Sequence, residues 1–381
     1  MDWRQERATV LAEARCVVVK VGSAVLTNES GIDPSVIDNL AAQLSALQDS
    51  GKRVVLVSSG AVAAGRGALR GCREMTGLPH KQAASAIGQS RLMHYYDKAF
   101  AKYGHLTAQV LLTRDDLRHR ERFLHARNTF HALLDWDVIP VVNENDTVAV
   151  QELKFGDNDN LASLLLNIVE ADLFVNLTSA SGVYAGDPST DPNAAIIECI
   201  EDAHALDLDA MCGAKTTVGT GGMYSKLMAA SRSAQLGVPT LILSGRQEGI
   251  LSRAFAGESV GTWVRPERRI ISRRKYWLAY QSDPAGTVTV DDGAAKALTT
   301  KGSSLLPGGI SAVLGDFDAG ALIRITNQQG TVLAVGLSNY SSTDLQKIQG
   351  HKRHEVAAIL GDAHYPEVVH RDNMLLDAVV A

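Results

Sequence analysis

Six short apolar runs, rich in β-branched residues, constrain the fold of this chain more than any other feature. They are CVVVKVG (16–22), RVVLVSSG (53–60), HLTAQVLLT (105–113), DVIPVVNEND (137–146), ADLFVNLT (171–178) and VPTLILSG (238–245). Each reads as a strand buried on both faces. Helical segments lie between them. Val36, Ile37, Leu40, Leu44 and Leu47 fall at helical spacing behind Asp33-Pro34, where Asp caps free N–H groups and Pro at the first helical position gives up no needed donor. Gly51 stops that helix, and a small-residue helix begins near Ala61. NLASLLLNIVE (160–170) and SKLMAASRSAQLG (225–237) supply further helices. Such alternation predicts an α/β fold: a three-layer αβα sandwich with a mainly parallel sheet. Ligands in sheets of this kind sit beyond the carboxyl ends of the strands, so the residues just after each run are the ones to weigh.

A length of 381 residues makes room for two or three domains. Lys plus Arg number 37 against 42 Asp plus Glu, a net charge of −5, which excludes a general attraction to nucleic acid or anionic lipid. Cys16, Cys72, Cys199 and Cys212 are far apart and show no paired spacing for a zinc site or disulfide framework, as expected in a reducing compartment. The first residues carry both signs of charge without a signal-like apolar stretch, and no membrane-length apolar run occurs, so a cytoplasmic protein is expected. Residues 1–14 read as an N-terminal extension, 15–265 as the α/β domain, and 266–284 as a solvated linker. That linker carries five basic residues from Arg268 to Lys275 beside Tyr276, Trp277 and Tyr280, a composition that also raises contact with RNA. Residues 285–362, with eleven glycines and short runs such as TVTV, ALIRI and VLAVGL, read as a small mainly-β domain, and 363–381 as a tail.

Three clusters offer chemistry. Lys20-Val21-Gly22-Ser23 ends a buried strand, where a lysine is costly unless it meets an anion, and Gly22 lets a phosphate approach the backbone. Snorkelling to the sheet edge is the alternative. Val218 to Lys226, including Thr220, Gly221, Gly222, Met223, Tyr224 and Ser225, is a glycine-rich loop running into a helix, whose free N–H groups and dipole suit an anion beside Lys226. It lacks Walker A spacing. Asn143 to Asp146 and Gly156 to Asn160 gather amides and carboxylates after a strand, suited to an amino group, a metal ion or the two lysines. Helix capping would account for only one or two of them. Ser58, Ser59, Gly60 and Ala61 form a strand-to-helix turn whose N–H groups suit a carboxylate. No histidine sits in a defensible nucleophile–base arrangement. Phosphoryl transfer to a carboxylate needs no such base, because an acid with pKa near 4 is already ionised at neutral pH.

Taken together, VVVKVGSAVLT (17–27), VLVSSGAVAAGR (55–66), IGQSRL (87–92), LLTRDDLRHRERFLHARNT (111–129), VIPVVNENDTVA (138–149), FGDNDNLA (155–162) and GTGGMYSK (219–226) resemble the amino acid kinase family. The pair NENDTVA and FGDNDNLA points to the branch acting on glutamate. KGSSLLPGGI (301–310) and its surroundings are similar to a PUA domain. The resemblance implies ATP-dependent phosphorylation of the side-chain carboxylate of L-glutamate, with Mg²⁺ bridging phosphate oxygens. It implies that Lys20 and Lys226 flank the transferring phosphoryl group and that Asp159 holds them. Ser59, Gly60, Asp146 and Asn158 would grip glutamate. Lys20, Thr178, Ser179 and residues Thr220 to Lys226 would bind the nucleotide. Many members have Thr-Asp where this chain has Thr178-Ser179, which removes a carboxylate from the nucleotide site. Feedback inhibition by proline and a homo-oligomer, dimer or tetramer, are further implications. RNA is not an expected partner: residues 285–362 hold seven acidic and six basic side chains, a poor balance for gripping phosphates.

Overall fold

The computed structural model describes residues 2–28, 31–69, 76–149, 157–186, 191, 194–203, 206, 222–267, 270–280, 284–361 and 365–376. The chain divides into two compact units, Met1–Ile271 and Ser272–Ala381.

The first unit runs α1 (Trp3–Glu13), β1 (Cys16–Val21), α2 (Ser23–Leu26), β2 (Thr27–Asn28), β3 (Gly31–Ile32), α3 (Pro34–Asp49), β4 (Arg53–Ser58), α4 (Ala61–Ala68), α5 (Gly77–Ala101) and β5 (Thr107–Leu112). It continues through α6 (Arg114–Arg118), α7 (Arg120–Asp135), β6 (Ile139–Glu144), α8 (Asp157–Ile168), β7 (Leu173–Thr178) and β8 (Cys199–Ile200). Last come α9 (Met223–Gln235), β9 (Thr240–Ser244), α10 (Ile250–Phe255) and β10 (Thr262–Val264). Eight strands form one sheet in the order β5-β6-β4-β1-β7-β9-β10-β8. Every neighbouring pair in it is parallel except β9 with β10. All six apolar runs are strands. The central β1 and β7 are buried throughout, as strands covered by helices on both faces must be. β5 departs from that expectation: Gln109 is exposed and most of its neighbours are half-buried, because β5 is an edge strand.

The local signals act as their chemistry dictates. The Ser35 backbone N–H donates to the Asp33 carboxylate at 3.0 Å, Pro34 opens α3, and Gly51 turns the chain at φ +86°. The N-terminal extension holds α1, which is anchored to the rest of the unit. Leu11 enters the core, and the buried Arg7 guanidinium donates to the carbonyls of Glu258 and Val260 at 2.9 and 3.0 Å.

Helices α4 and α5 touch backbone to backbone through glycines. A Cβ on Gly88 would fall 1.8 Å from the Ala61 carbonyl oxygen, and one on Gly65 would fall 1.8 Å from that of Ala84. The obstacle in each case is rigid main chain. Gly88→Ala is therefore expected to destabilise the protein by about 1–3 kcal/mol through overpacking, read as a lower urea midpoint. A midpoint equal to that of the parent protein would show that α4 and α5 are not in this contact.

The second unit has a five-stranded sheet in the order β12-β11-β13-β14-β15. The strands are β11 (Gly286–Val290), β12 (Ile310–Leu314), β13 (Leu322–Thr326), β14 (Val332–Leu337) and β15 (Met374–Leu376). Helices α11 (Arg273–Tyr280), α12 (Asp292–Lys301), α13 (Ser342–Ile348) and α14 (Arg353–Leu360) accompany them. Val288, Leu298, Ile323, Ile325 and Leu345 lie in its core. This unit extends beyond residues 285–362 on both sides. The segment read as a solvated linker holds α11, which packs on β14 and β15 with Tyr276 and Leu278 fully buried, since two large apolar groups in a basic run must still leave water. The segment read as a tail supplies β15, which pairs with the edge of β14, and buries Val368 and Val369. No helix among the described residues of either unit is long and apolar enough to cross a membrane.

Candidate active site

Lys20 is the fifth residue of β1, and its register partner on β7 is Asn176. Two polar side chains thus stand side by side in the middle of an apolar sheet. The first turn of α8 covers them with a carboxylate. Lys20 Nζ lies 2.6 Å from Asp159 Oδ1, and Lys226 Nζ, from the first turn of α9, lies 3.3 Å from Asp159 Oδ2. Asn176 Nδ2 donates to Oδ1 at 3.0 Å, and Ser225 Oγ donates to Oδ2 at 2.7 Å. Asp159 is fully buried, while Lys20 and Lys226 are 3% and 5% exposed. The two lysines, 206 positions apart in sequence, therefore converge on opposite oxygens of one carboxylate.

Burial pulls the Lys20 ammonium below its ordinary range; Asp159 opposes that effect and the charge on Lys226 adds to it. For Asp159 burial pushes the carboxyl up, but the two ammonium groups and the hydrogen bonds from Lys20 and Ser225 outweigh it, holding it below the usual carboxylate range. Two cations share one anion, and the excess positive charge is suited to a further anion. Gly22 leaves space for one: a Cβ there would sit 3.7 Å from Lys20 Nζ.

Next to Asp159 in the chain, Asn158 joins this cation pair to a second set of groups. Its Nδ2 donates to Ser59 Oγ and to Asn143 Oδ1, both at 2.9 Å. Ser59 follows β4, and Gly60 caps α4 with φ +110°, a left-handed conformation that favours glycine. Asp146, beyond β6, accepts a short hydrogen bond from Ser85 of α5. Acceptor-site candidates from β4, β6 and α8 are thus linked by direct contacts through Ser59, Asn143 and Asn158, with Asp146 held from α5.

Of the nucleotide-site candidates, Thr178 ends β7 nearly buried, with its carbonyl accepting from Gly245 N–H at 2.8 Å, whereas Ser179 is exposed. Gly222 caps α9, whose first residues are Met223, Tyr224 and Ser225, and Gly222 O lies 3.0 Å from Ser225 Oγ. Thr220 and Gly221 lie outside the described residues.

Four buried polar residues escaped the sequence reading as individual site residues. Asn176 carried a signal of the kind that marked Lys20, a polar residue inside LFVNLT. Gln89 carried only its place in the motif IGQSRL (87–92), and Ser85 and Tyr96 carried no local signal. Tyr96 OH shares a 2.8 Å hydrogen bond with Ser58 Oγ, and burial pushes its phenol up so that it stays neutral. For a metal ion, no group of three or more His, Cys, Asp or Glu among the described residues forms a ligand cluster. Asp159 is already held by two ammonium groups, so the donor set fits magnesium arriving on phosphate oxygens better than a cage made by protein.

Residues 15–244 match the Amino acid kinase family, and residues 286–360 match the PUA domain. A protein of Nitratidesulfovibrio vulgaris named Glutamate 5-kinase is 77% identical over 380 residues, covering 100% of both chains. Proteins of the same name from Oleidesulfovibrio alaskensis and Geobacter sulfurreducens are 65% identical over 380 residues and 47% identical over 371. The first alignment covers 100% of both chains, and the second 97% of this chain and 100% of the other. With its parallel sheet, its converging lysines and full-length likeness to these proteins, the chain belongs to the amino acid kinase family.

Proposed function

We propose that this chain is an ATP-dependent glutamate 5-kinase, converting L-glutamate and ATP to glutamyl 5-phosphate and ADP, the first step of proline biosynthesis. The observation that carries this reading is the first turn of α8. Its consecutive residues Asn158 and Asp159 bond respectively to the acceptor-site groups Ser59 and Asn143 and to the lysine pair. A phosphoryl donor beside the lysines and a carboxylate acceptor beside Asn158 would then be held by one rigid element.

The acceptor carboxylate is ionised at neutral pH and attacks phosphorus without a general base. One of its oxygens forms the new P–O bond as the bond to the ADP oxygen breaks. Lys20 and Lys226 neutralise charge on the transferring group and the departing oxygen, in a site too dry for water to do so. Asp159, Asn176 and Ser225 keep the lysines in place before substrate arrives. Thr178, Ser179 and the glycine-rich segment to Lys226 hold the nucleotide, and Mg²⁺ accompanies its phosphates. Asp146 takes the α-ammonium group of glutamate, with Ser59, Gly60 and Asn158 completing the grip. Cytoplasmic residence agrees with the unpaired cysteine spacing expected in a reducing compartment, and feedback by proline and homo-oligomer formation rest on the family resemblance. Of the aromatic residues in the basic segment, Tyr276 is fully buried within the second unit and is closed to base stacking.

Trapping the acyl phosphate with hydroxylamine, with glutamate, acetylglutamate, aspartate and a nucleoside monophosphate offered in parallel, tests the reading. Glutamate is the expected acceptor, and preference for any other overturns it. Asp146→Ala is expected to raise KM for glutamate by about tenfold or more, with a smaller effect on kcat, because an ion pair to the bound substrate is lost in ground state and transition state alike. An unaltered KM removes Asp146 from the pocket.

A further inference from the structure

The acceptor site contains a chain of side-chain amides whose polarity is set at a single point. The Glu144 backbone N–H can only donate, and it donates to Asn143 Oδ1 at 2.9 Å. That fixes Asn143 with its oxygen toward the backbone and its Nδ2 toward Gln89, whose Oε1 accepts at 2.8 Å. The same Asn143 oxygen accepts from Asn158 Nδ2, whose other hydrogen goes to Ser59 Oγ. Both Nδ2 hydrogens of Asn158 are thereby committed. Its Oδ1 is buried without a hydrogen-bond partner, so Asn158 has only acceptor capacity left for a ligand. Ser59 Oγ, already accepting from Asn158, has its hydroxyl hydrogen left to donate.

We infer that Gln89 is a positioning residue that holds this polarity, so that Asn158 offers an oxygen to an ammonium group and Ser59 a hydroxyl hydrogen to a carboxylate. Gln89 is 7% exposed and Asn143 3% exposed. Gln89 lies on the buried face of α5 with Ser85, Leu92 and Tyr96. Without the Gln89 oxygen, the Asn143 amide has a buried donor left unmet and is held only at its Oδ1. Rotation gives no relief, since it would turn Nδ2 toward the Glu144 N–H and Asn158 Nδ2, which cannot accept it, so the strain falls on the contact that orients Asn158. The pocket would lose its discrimination for a substrate bearing both an ammonium and a carboxylate group.

The inference rests on the glutamate kinase reading for its substrate, so the test has one arm that uses none. In the first arm, Gln89→Leu is expected to raise KM for glutamate about tenfold, leaving kcat and KM for ATP within about twofold. Gln89→Glu, which retains the acceptor oxygen, is expected to stay within about threefold of the parent enzyme. A parent-like KM in Gln89→Leu, a parallel rise in KM for ATP, or equal damage in both variants overturns the inference. In the second arm, the parent protein is labelled with ¹⁵N-asparagine and the Asn143 side-chain amide is followed by hydrogen exchange without substrate. Slow exchange is expected, and rapid exchange overturns the inference whether or not Gln89→Leu folds. If the parent enzyme phosphorylates no glutamate, the functional reading fails while the second arm still decides the polarity.

Discussion

Lys20→Ala and Lys226→Ala each lower kcat for glutamate phosphorylation by roughly two orders of magnitude or more, the usual effect of removing one preorganised charge from a desolvated transition state. Both ammonium groups are nearly inaccessible to water, and each is held on its own oxygen of Asp159. Neither must move or shed a hydration shell as charge shifts from acceptor to leaving group. A water molecule admitted into the space left by either side chain would carry no net charge. Arginine at position 20 should not restore the rate, because its planar fork cannot keep the point contact with Asp159 beside Gly22. KM for glutamate should change less than kcat in both alanine variants, since the lysines act on the migrating group. Single-turnover rates on folded variants provide the measurement, and a kcat within tenfold of the parent enzyme for either one sinks the assignment.

The sequence made Lys20 legible because a charge inside a strand buried on both faces has few explanations. Asp33-Pro34 and Gly51 were legible for a related reason: the signal and its structural effect lie within a few residues of each other. Contacts between distant segments leave no such trace. Ser85 and Tyr96 look like ordinary polar members of a helix, and Gln89 like one letter of the motif IGQSRL, until α5 is laid against β4 and β6. Even then their partners are Asp146, Asn143 and Ser58, each far along the chain. Exposure of β5 depends on which strand ends at the sheet edge, a matter of topology that an apolar run does not encode. The extent of the second unit was obscured differently. Basic residues around Tyr276 and the shortness of MLL (374–376) masked pieces that only long-range packing brings into its core. Roles for individual site residues therefore came from motif likeness, while the amide chain and Asn176 came from geometry.

Asp159→Asn provides the sharpest separation between the electrostatic account and a purely steric one, because the amide is nearly isosteric. It removes the one negative charge that two buried ammonium groups share. Lys20 and Lys226 are left facing each other in a site of low polarity, and breaking a buried pair in this way costs about 3–5 kcal/mol. The melting temperature of the first unit falls accordingly. Turnover falls by roughly two orders of magnitude or more, since the lysines lose the anchor that orients them. A pH signature distinguishes this from a packing defect. The Asp159 carboxyl is held below its ordinary value of 3.8, so the folded protein takes up this proton less readily than the unfolded chain. The stability it contributes is complete above that ordinary value and is lost as the pH drops through the lower folded value. Melting temperatures measured from about pH 2 to 6 should therefore converge for parent and variant at the acid end and separate toward neutrality. Adding a polyanion such as tripolyphosphate at neutral pH should stabilise Asp159→Asn more than the parent protein, because it supplies the charge the pair has lost. Curves that stay parallel across the whole pH range, or an amide variant that turns over like the parent enzyme, would mean that Asp159 acts by its shape and that the lysines are organised by something else.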